Sequence, residues 1–322
     1  MAGAGRARAV AGVSRTNHPA AGIALIVAAA TCFASMDTTL RYLGAFIGIA
    51  LMLWLRYAMH TLAMTAWIAL SRDKTFRTAN PRFQVLRGAL LMFASAMAFN
   101  ALRHMPVAEF TAIVMLTPLL VTLLARVWLK ERVSALRWTL VAGGFAGALI
   151  VIRPGSGLFG WAVLLPLAAA LSSAGFQILT SKLAPHENPY TTNFYTGLTG
   201  VALATPLLIA SSADISDTLT TAPPLHLGLL LTIGVLGTAG HLLLIMALGK
   251  APAATLMPFL YVQIGVAALA GWLALDAVPD AWGWAGMAVI TICGAASAWL
   301  NVRDAAAQQR PVSAVAIDAV AD

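Results

Sequence analysis

Charge is what this chain has least of. Of its 322 residues 10% are Asp, Glu, Lys or Arg, against roughly 25% in a soluble domain. A chain this size cannot cover a water-facing surface with so few charges. Cysteine is scarcer still, with only Cys32 and Cys293. Each lies inside an apolar run, which excludes a disulfide framework and a cysteine-based metal site. CxxC, HExxH, P-loop and strand-borne GxGxxG patterns are all missing, so no cofactor, metal or nucleotide is called for. What is present is apolar: 60% of residues are hydrophobic and mean hydropathy is +0.83. The net charge of +8 reads in such a chain as basic cytoplasmic loops rather than a nucleic-acid surface.

Long apolar runs, rather than the weak alternation of barrel strands, predict an all-α polytopic membrane protein. Ten transmembrane helices are expected, near 20–44, 47–70, 83–102, 107–125, 135–152, 158–180, 189–210, 225–248, 252–273 and 281–301. Residues 1–19 carry Arg6, Arg8 and Arg15. The apolar run behind them lacks a signal-peptide cleavage site, so they read as a disordered cytoplasmic tail before a retained first helix. Residues 303–322 read as a second cytoplasmic tail.

The chain is written twice. Shifted by 146, Ala101, Leu102, Pro106, Ala108, Ala135 and Trp138 meet Ala247, Leu248, Pro252, Ala254, Ala281 and Trp284. Trp128 meets Trp272 at a shift of 144, so one small gap is needed. The halves are 20–154 and 155–302, five spans each. With both termini in the cytoplasm, sixteen of the 20 basic residues fall inside or at inner helix ends, Arg87 and the Lys130–Glu131–Arg132 turn among them. Arg41, Arg103 and Arg153 fall outside, and Arg56 lies within a span. The positive-inside rule is met, and five spans per half make the second copy inverted, as in many secondary transporters.

Polar groups within spans are default site candidates, because a charge in hydrocarbon is costly. Asp37 and Arg56 sit at similar depth on adjacent spans, either as an ion pair joining helices or as a substrate or proton site. Arg41 is within i, i+4 reach of Asp37. Glu109 opens span 4, as a helix-end acid or a coupling carboxylate. Asn100, Thr117, Gln177, Tyr195, His241, Tyr261 and Gln263 add hydrogen-bonding groups, and Trp54 and Tyr57 flank Arg56 as rings that could stack on a solute. Pro118 and Pro258 are candidate hinges. Gly143 with Gly147, and Gly294 with Ala298, permit close helix approach, within one bundle or in a homodimer.

The passage NALRHMPVAEFTAIVMLTPLLVTLLARVWLKERVSALRW, followed by GGFAGALIVIRPG, resembles the EamA branch of the drug/metabolite transporter superfamily, as does GFQILTSKLAPHENPYTTNFYTG. The resemblance covers about residues 20 to 302. It implies a carrier in a bacterial inner membrane that moves a small organic solute by alternating access, bound near the midplane between the halves. Members of that branch handle amino acids, S-adenosylmethionine, riboflavin, metallophore-type compounds and toxic organics. The central passage is most similar to members for riboflavin or S-adenosylmethionine uptake. The sequence holds no ATP-binding motif, so a proton or solute gradient, or none, supplies the drive. Export by the same fold, a membrane enzyme and a channel subunit are the competing readings. An enzyme predicts clustered His, Asp or Glu at the interface, and a channel predicts charged rings or filter loops; neither is seen.

Overall fold

A computed structural model describes residues 19–71, 75–129, 135–154, 160–183, 187–211, 218, 220–250, 256 and 259–308. Among them every long element is an α-helix: α1 (Pro19–Leu43), α2 (Ile49–Leu70), α3 (Pro81–Ala101), α4 (Val107–Val114), α5 (Thr117–Leu129), α6 (Ala135–Ile152), α7 (Leu164–Leu183), α8 (Pro189–Ala210), α9 (Pro224–Lys250), α10 (Val262–Leu275) and α11 (Ala281–Gln308). A 3₁₀ turn, Gly160–Val163, leads into α7. Four helices open on proline, whose missing N–H costs nothing in a first turn. Asn188 Oδ1 caps α8 by accepting from Tyr190 N at 2.9 Å, and Asp280 Oδ1 caps α11 by accepting from Gly283 N at 2.8 Å.

Among the described residues five helices are long and apolar enough to cross a membrane, namely Ala20–Leu43, Pro81–Ala101, Gly160–Thr180, Pro189–Ala210 and Pro224–Lys250. Val107–Val121, Trp138–Ile152, Val262–Leu275 and Ala281–Ser297 are shorter apolar helices. Leu62, Leu70, Ile209, Leu273 and Ile292 are exposed, as are Trp272, Trp282 and Trp284. Bilayer lipid is the solvent that fits an apolar exterior of this extent.

The fourth expected span is not one helix. It breaks at Met115–Leu116, between α4 and α5. Pro118 has no N–H for the carbonyl of Val114, and the Thr117 hydroxyl donates to that carbonyl instead, at 2.6 Å. The ninth breaks at Tyr261, just before α10. A shift of 146 carries Met115 onto Tyr261 and Ala135, where α6 begins, onto Ala281, where α11 begins. One further boundary differs from expectation. Helix α11 runs on to Gln308, into the expected C-terminal tail. The N-terminal tail, the Lys130–Arg132 turn and Pro258 lie outside the described residues.

The helix pairs carry the symmetry of the repeat. In the numbering of ten spans, α1 packs on α9 (first on eighth) and α3 on α7 (third on sixth). Exchanging the halves turns one of these pairs into the other. The pairs α2 on α8, α4 on α10 and α6 on α11 map onto themselves. The halves therefore interlock, and one buried cluster includes Leu40, Met52, Phe99 and Leu116 from the first half and Ile233, Ala267 and Ile290 from the second.

Glycine sets the closest of these contacts. A Cβ on Gly147 would lie 3.0 Å from the Gly286 carbonyl oxygen, and one on Gly286 only 2.7 Å from the Gly147 oxygen. Gly143 faces Cys293 and Gly294 faces Tyr261. These small-residue faces are thus used within the chain, where the sequence also left a homodimer contact open.

Candidate functional site

Between the halves lies a cavity of about 140 Å³. Helix α1 supplies Phe33, Met36 and Asp37, α2 Arg56, and α3 Leu91, Ala94, Ser95 and Ala98. The α4–α5 break brings Phe110, Val114, Met115, Thr117 and Pro118, and α7 brings Ala169, Ser173, Phe176 and Gln177. His241 and Leu244 come from α9, and Leu260 and Gln263 flank the second break. Thr117 and Gln263 are matched by the 146 shift, so the two broken helices each aim one polar group at the same space.

Asp37 stands six residues from the end of α1 and Arg56 seven from the start of α2, each about 10 Å along its helix. Arg56 Nη1 donates to Ser95 Oγ at 2.8 Å, and its Nη2 lies 3.0 Å from His241 Nε2. A guanidinium has only donors, so Nε2 accepts and the neutral imidazole carries its proton on Nδ1. The Tyr57 hydroxyl shares a hydrogen bond with Ser95 at 2.9 Å, and the Tyr57 ring lies 4.8 Å from the guanidinium carbon. Gly237 makes this fit possible, because a Cβ there would come within 2.7 Å of Arg56 Nε. Phe33 and Phe176 face the His241 ring at 4.9 and 6.0 Å. Together with Phe110 they give the cavity aromatic walls.

Asp37, Arg56, Gln177, His241 and Gln263, with Thr117 and Pro118, thus meet in one place. The other sequence candidates do not. Trp54 points to α8, donating Nε1–H to Thr205 Oγ1 at 3.0 Å. Tyr57 is fully buried behind Arg56, and neither ring lines the cavity. Asn100 donates to the Ala96 carbonyl within its own helix. Tyr195 donates to the Phe76 carbonyl at 3.2 Å, at the opposite end of α3. Tyr261 sits in the second break, buried against Gly294. Glu109 is buried at the start of α4, and its Oε1 lies 3.6 Å from where a Gly283 Cβ would stand.

Among the described residues no ion pair joins Asp37 to Arg56 or to Arg41. Arg41 instead donates to the Leu102 carbonyl at 2.5 Å. With Arg103, Tyr42 and Phe46 it lines a separate cavity of about 570 Å³ at the far end of α1. The ion pair that does form is Arg153–Asp280, at 2.5 Å, joining the end of α6 to the start of α11. There the Gly283 amide, and after it the Arg153 guanidinium, hold the Asp280 carboxyl below the usual carboxylate range. Arg87 also departs from expectation. Counted in the sequence among the basic residues inside or at inner helix ends, it is fully buried, six residues into α3.

Ser95, Ser173 and the three phenylalanines complete the cavity without having been singled out in the sequence. A serine or phenylalanine among apolar runs has no distinguishing pattern. His60, four residues after Arg56 on the same helix face, carried a readable signal.

The EamA-like transporter family profile matches the chain twice, over residues 20–153 and 160–298. A riboflavin transporter of Brucella anthropi is 29% identical, with 82% of this chain and 94% of that protein covered. An S-adenosylmethionine uptake transporter of Rickettsia bellii is 25% identical over 76% of this chain and 81% of its own length. A pseudopaline exporter of Pseudomonas aeruginosa is 27% identical over 84% and 93%. A crystal structure only 20% identical shares the fold, with a TM-score of 0.62 over 90% of this chain and 98% of that one.

Proposed function

The chain belongs to the EamA-like transporter family, and from that premise we propose that it carries a small, planar, carbonyl-rich organic solute, of the riboflavin type, through the central cavity. One observation carries the reading. Asp37, Arg56, Ser95, Thr117, Ser173, Gln177, His241 and Gln263 converge from both halves on a buried, otherwise apolar and aromatic space, the composition of a ligand pocket. Arg56 and Asp37 read opposite ends of a hydrogen-bonding edge, one giving protons and the other accepting them. Gln177 and Gln263 can do both, and Phe33, Phe110 and Phe176 suit a flat ring.

The cavity volume of about 140 Å³ is below the roughly 300–1,000 Å³ of a site closed around a drug-sized ligand. A solute of flavin size is admitted only as the halves part, as alternating access requires. Ten spans in two inverted repeats, both termini in the cytoplasm of a bacterial inner membrane, and Asp37 as the acid that couples a proton complete the proposal. Uptake is the favoured direction, supported by the Rickettsia relative's name. Export is the second reading, supported by the Pseudomonas relative.

The test is saturable flux of labelled riboflavin in proteoliposomes, competed by S-adenosylmethionine and by aromatic amino acids. Flux or exchange of labelled riboflavin supports the reading. If no labelled solute of any of these classes moves or exchanges, the carrier reading fails.

A further inference from the structure

Arg87 is a buried cation with no carboxylate against it among the described residues. Its Nη1 donates to Thr180 Oγ1 on α7 at 3.1 Å. Its Nη2 donates to the Thr192 carbonyl and the Thr196 hydroxyl on α8. The Phe176 ring lies 4.9 Å from its guanidinium carbon, and that ring also lines the central cavity. Arg87 and Ser95, the partner of Arg56, are eight residues apart on α3, about 12 Å along the helix.

Polar side chains run past both cations, and several are short of partners. Among the described residues, buried side-chain atoms without a hydrogen-bond partner include Arg56 Nε, His241 Nδ1, Gln84 Oε1 and Arg87 Nε. His60, Asn193 and Gln84 are themselves fully buried. The His60 ring lies parallel to that of His241, 6.3 Å away, with Asn193 beside it. Polar atoms left unpaired in a dry interior are costly and rare, yet here polar side chains run in a line by helix register, from Arg56 to His60 on α2 and from Ser95 to Arg87 and Gln84 on α3, with Asn193 on α8 and His241 on α9. A path that is wetted or occupied in another conformation satisfies them.

Beyond Arg87 the line is closed by ties between the halves. Glu187 Oε1 accepts from Thr78 Oγ1 at 2.6 Å and from the Ala79 amide at 3.0 Å, and Thr191 donates to the Thr75 carbonyl.

We propose that the solute path continues from the central cavity past Phe176 along this line, and that Arg87 is its second contact, receiving the electron-rich group that Arg56 holds first. In the conformation described, Thr180, Thr192 and Thr196 stand in for that group, and Arg87 keeps this half of the path shut by tying α3 to α7 and α8. The class of ligand is a carbonyl-bearing heterocycle or an anion, since a guanidinium offers donors alone. The solute assignment rests on the carrier reading above, whereas the closure does not.

The two native cysteines allow a direct test. In a Cys32→Ser, Cys293→Ser background, Asn193→Cys places a thiol in the line. On vesicles exposing the face that carries Arg77 and Arg82, a membrane-impermeant maleimide reacts slowly with it. Adding Arg87→Gln, with no solute present, raises that rate about tenfold or more, because the charged ties across the halves are lost. In proteoliposomes Arg87→Gln lowers labelled riboflavin exchange about tenfold, while equilibrium binding stays within about threefold and Arg87→Lys restores part of the flux. A purely structural Arg87 gives another result: binding, folded yield and flux fall together and the thiol stays unreactive, which overturns the proposal. Absence of riboflavin binding and flux in the unmodified protein defeats the carrier reading alone, and the thiol rates still decide the closure.

Discussion

Arg56 is held on three sides, by Ser95, His241 and the Tyr57 ring, and it lines the cavity. Asp37 stands across the same cavity with no ion pair to it. That separation makes two roles distinguishable. Asp37→Asn is expected to lower solute flux about tenfold with normal folded yield, the loss of a charged hydrogen bond to the solute being about 1.5–3 kcal/mol. Arg56→Lys is expected to do the same, because an ammonium cannot span Ser95 and His241 as the guanidinium fork does. The exchange Asp37→Arg with Arg56→Asp restores nothing, whereas a purely structural ion pair would recover. Asp280 behaves differently. Its carboxyl is held below the usual range, so its stabilising contact exists above the unfolded value, near 4, and disappears as pH falls through the lower folded value. Melting of the detergent-solubilised protein between about pH 5 and about pH 3 therefore narrows the gap between the unmodified protein and Asp280→Asn. A gap independent of pH would place the Asp280 contribution elsewhere.

At the scale of elements, the crossing of α6 on α11 and the two helix breaks position the cavity. Gly286→Ala puts a methyl 2.7 Å from the Gly147 carbonyl oxygen and 2.5 Å from Val151 Cγ2. Backbone on one side cannot yield as a flexible side chain can, so a loss of about 1–3 kcal/mol is expected, read as a lower melting temperature. An unchanged melting temperature would mean that α6 and α11 slide apart freely. The repeat and the helices were legible in sequence because proline, tryptophan and long apolar runs each leave a pattern. Asp37, Arg56, Gln177, His241 and Gln263 were legible because polarity is rare within spans. Trp54 was misleading for a geometric reason: helix neighbours turn by about 100° per residue, so a residue two positions from Arg56 faces another way. Arg87 was read as a helix-end cation because its threonine partners lie about a hundred positions away, on two other helices. Nothing in a local window marks such a contact. The break at Met115–Leu116 had Pro118 as its flag, but nothing in a local window marks that Thr117 donates to the freed Val114 carbonyl and lines the cavity.

For the whole molecule, the ties are distributed unevenly. The described contacts near Arg77 and Arg82 bind first-half residues Thr75, Thr78, Ala79 and Arg87 to second-half residues Thr180, Glu187, Thr191, Thr192 and Thr196. At the other end, the Arg41 and Arg103 cavity of about 570 Å³ stands open, and the described side-chain ties between the halves there are fewer, the Trp54–Thr205 hydrogen bond and the exposed Arg153–Asp280 ion pair. With the termini in the cytoplasm, as proposed, a carrier with this distribution rests shut toward the cytoplasm and accepts solute from outside, and cations at the open mouth raise the local concentration of an electron-rich solute. Uptake is therefore expected to have the lower half-saturation concentration. Vesicles of the two orientations, each given labelled riboflavin on the outside, measure it directly. Right-side-out vesicles should saturate at a concentration several-fold lower than inside-out ones, and Arg103→Glu should raise that concentration in the first set only, with the effect shrinking as salt is added. Equal half-saturation on both faces, or a lower value in inside-out vesicles, would assign the open cavity to release and the protein to export.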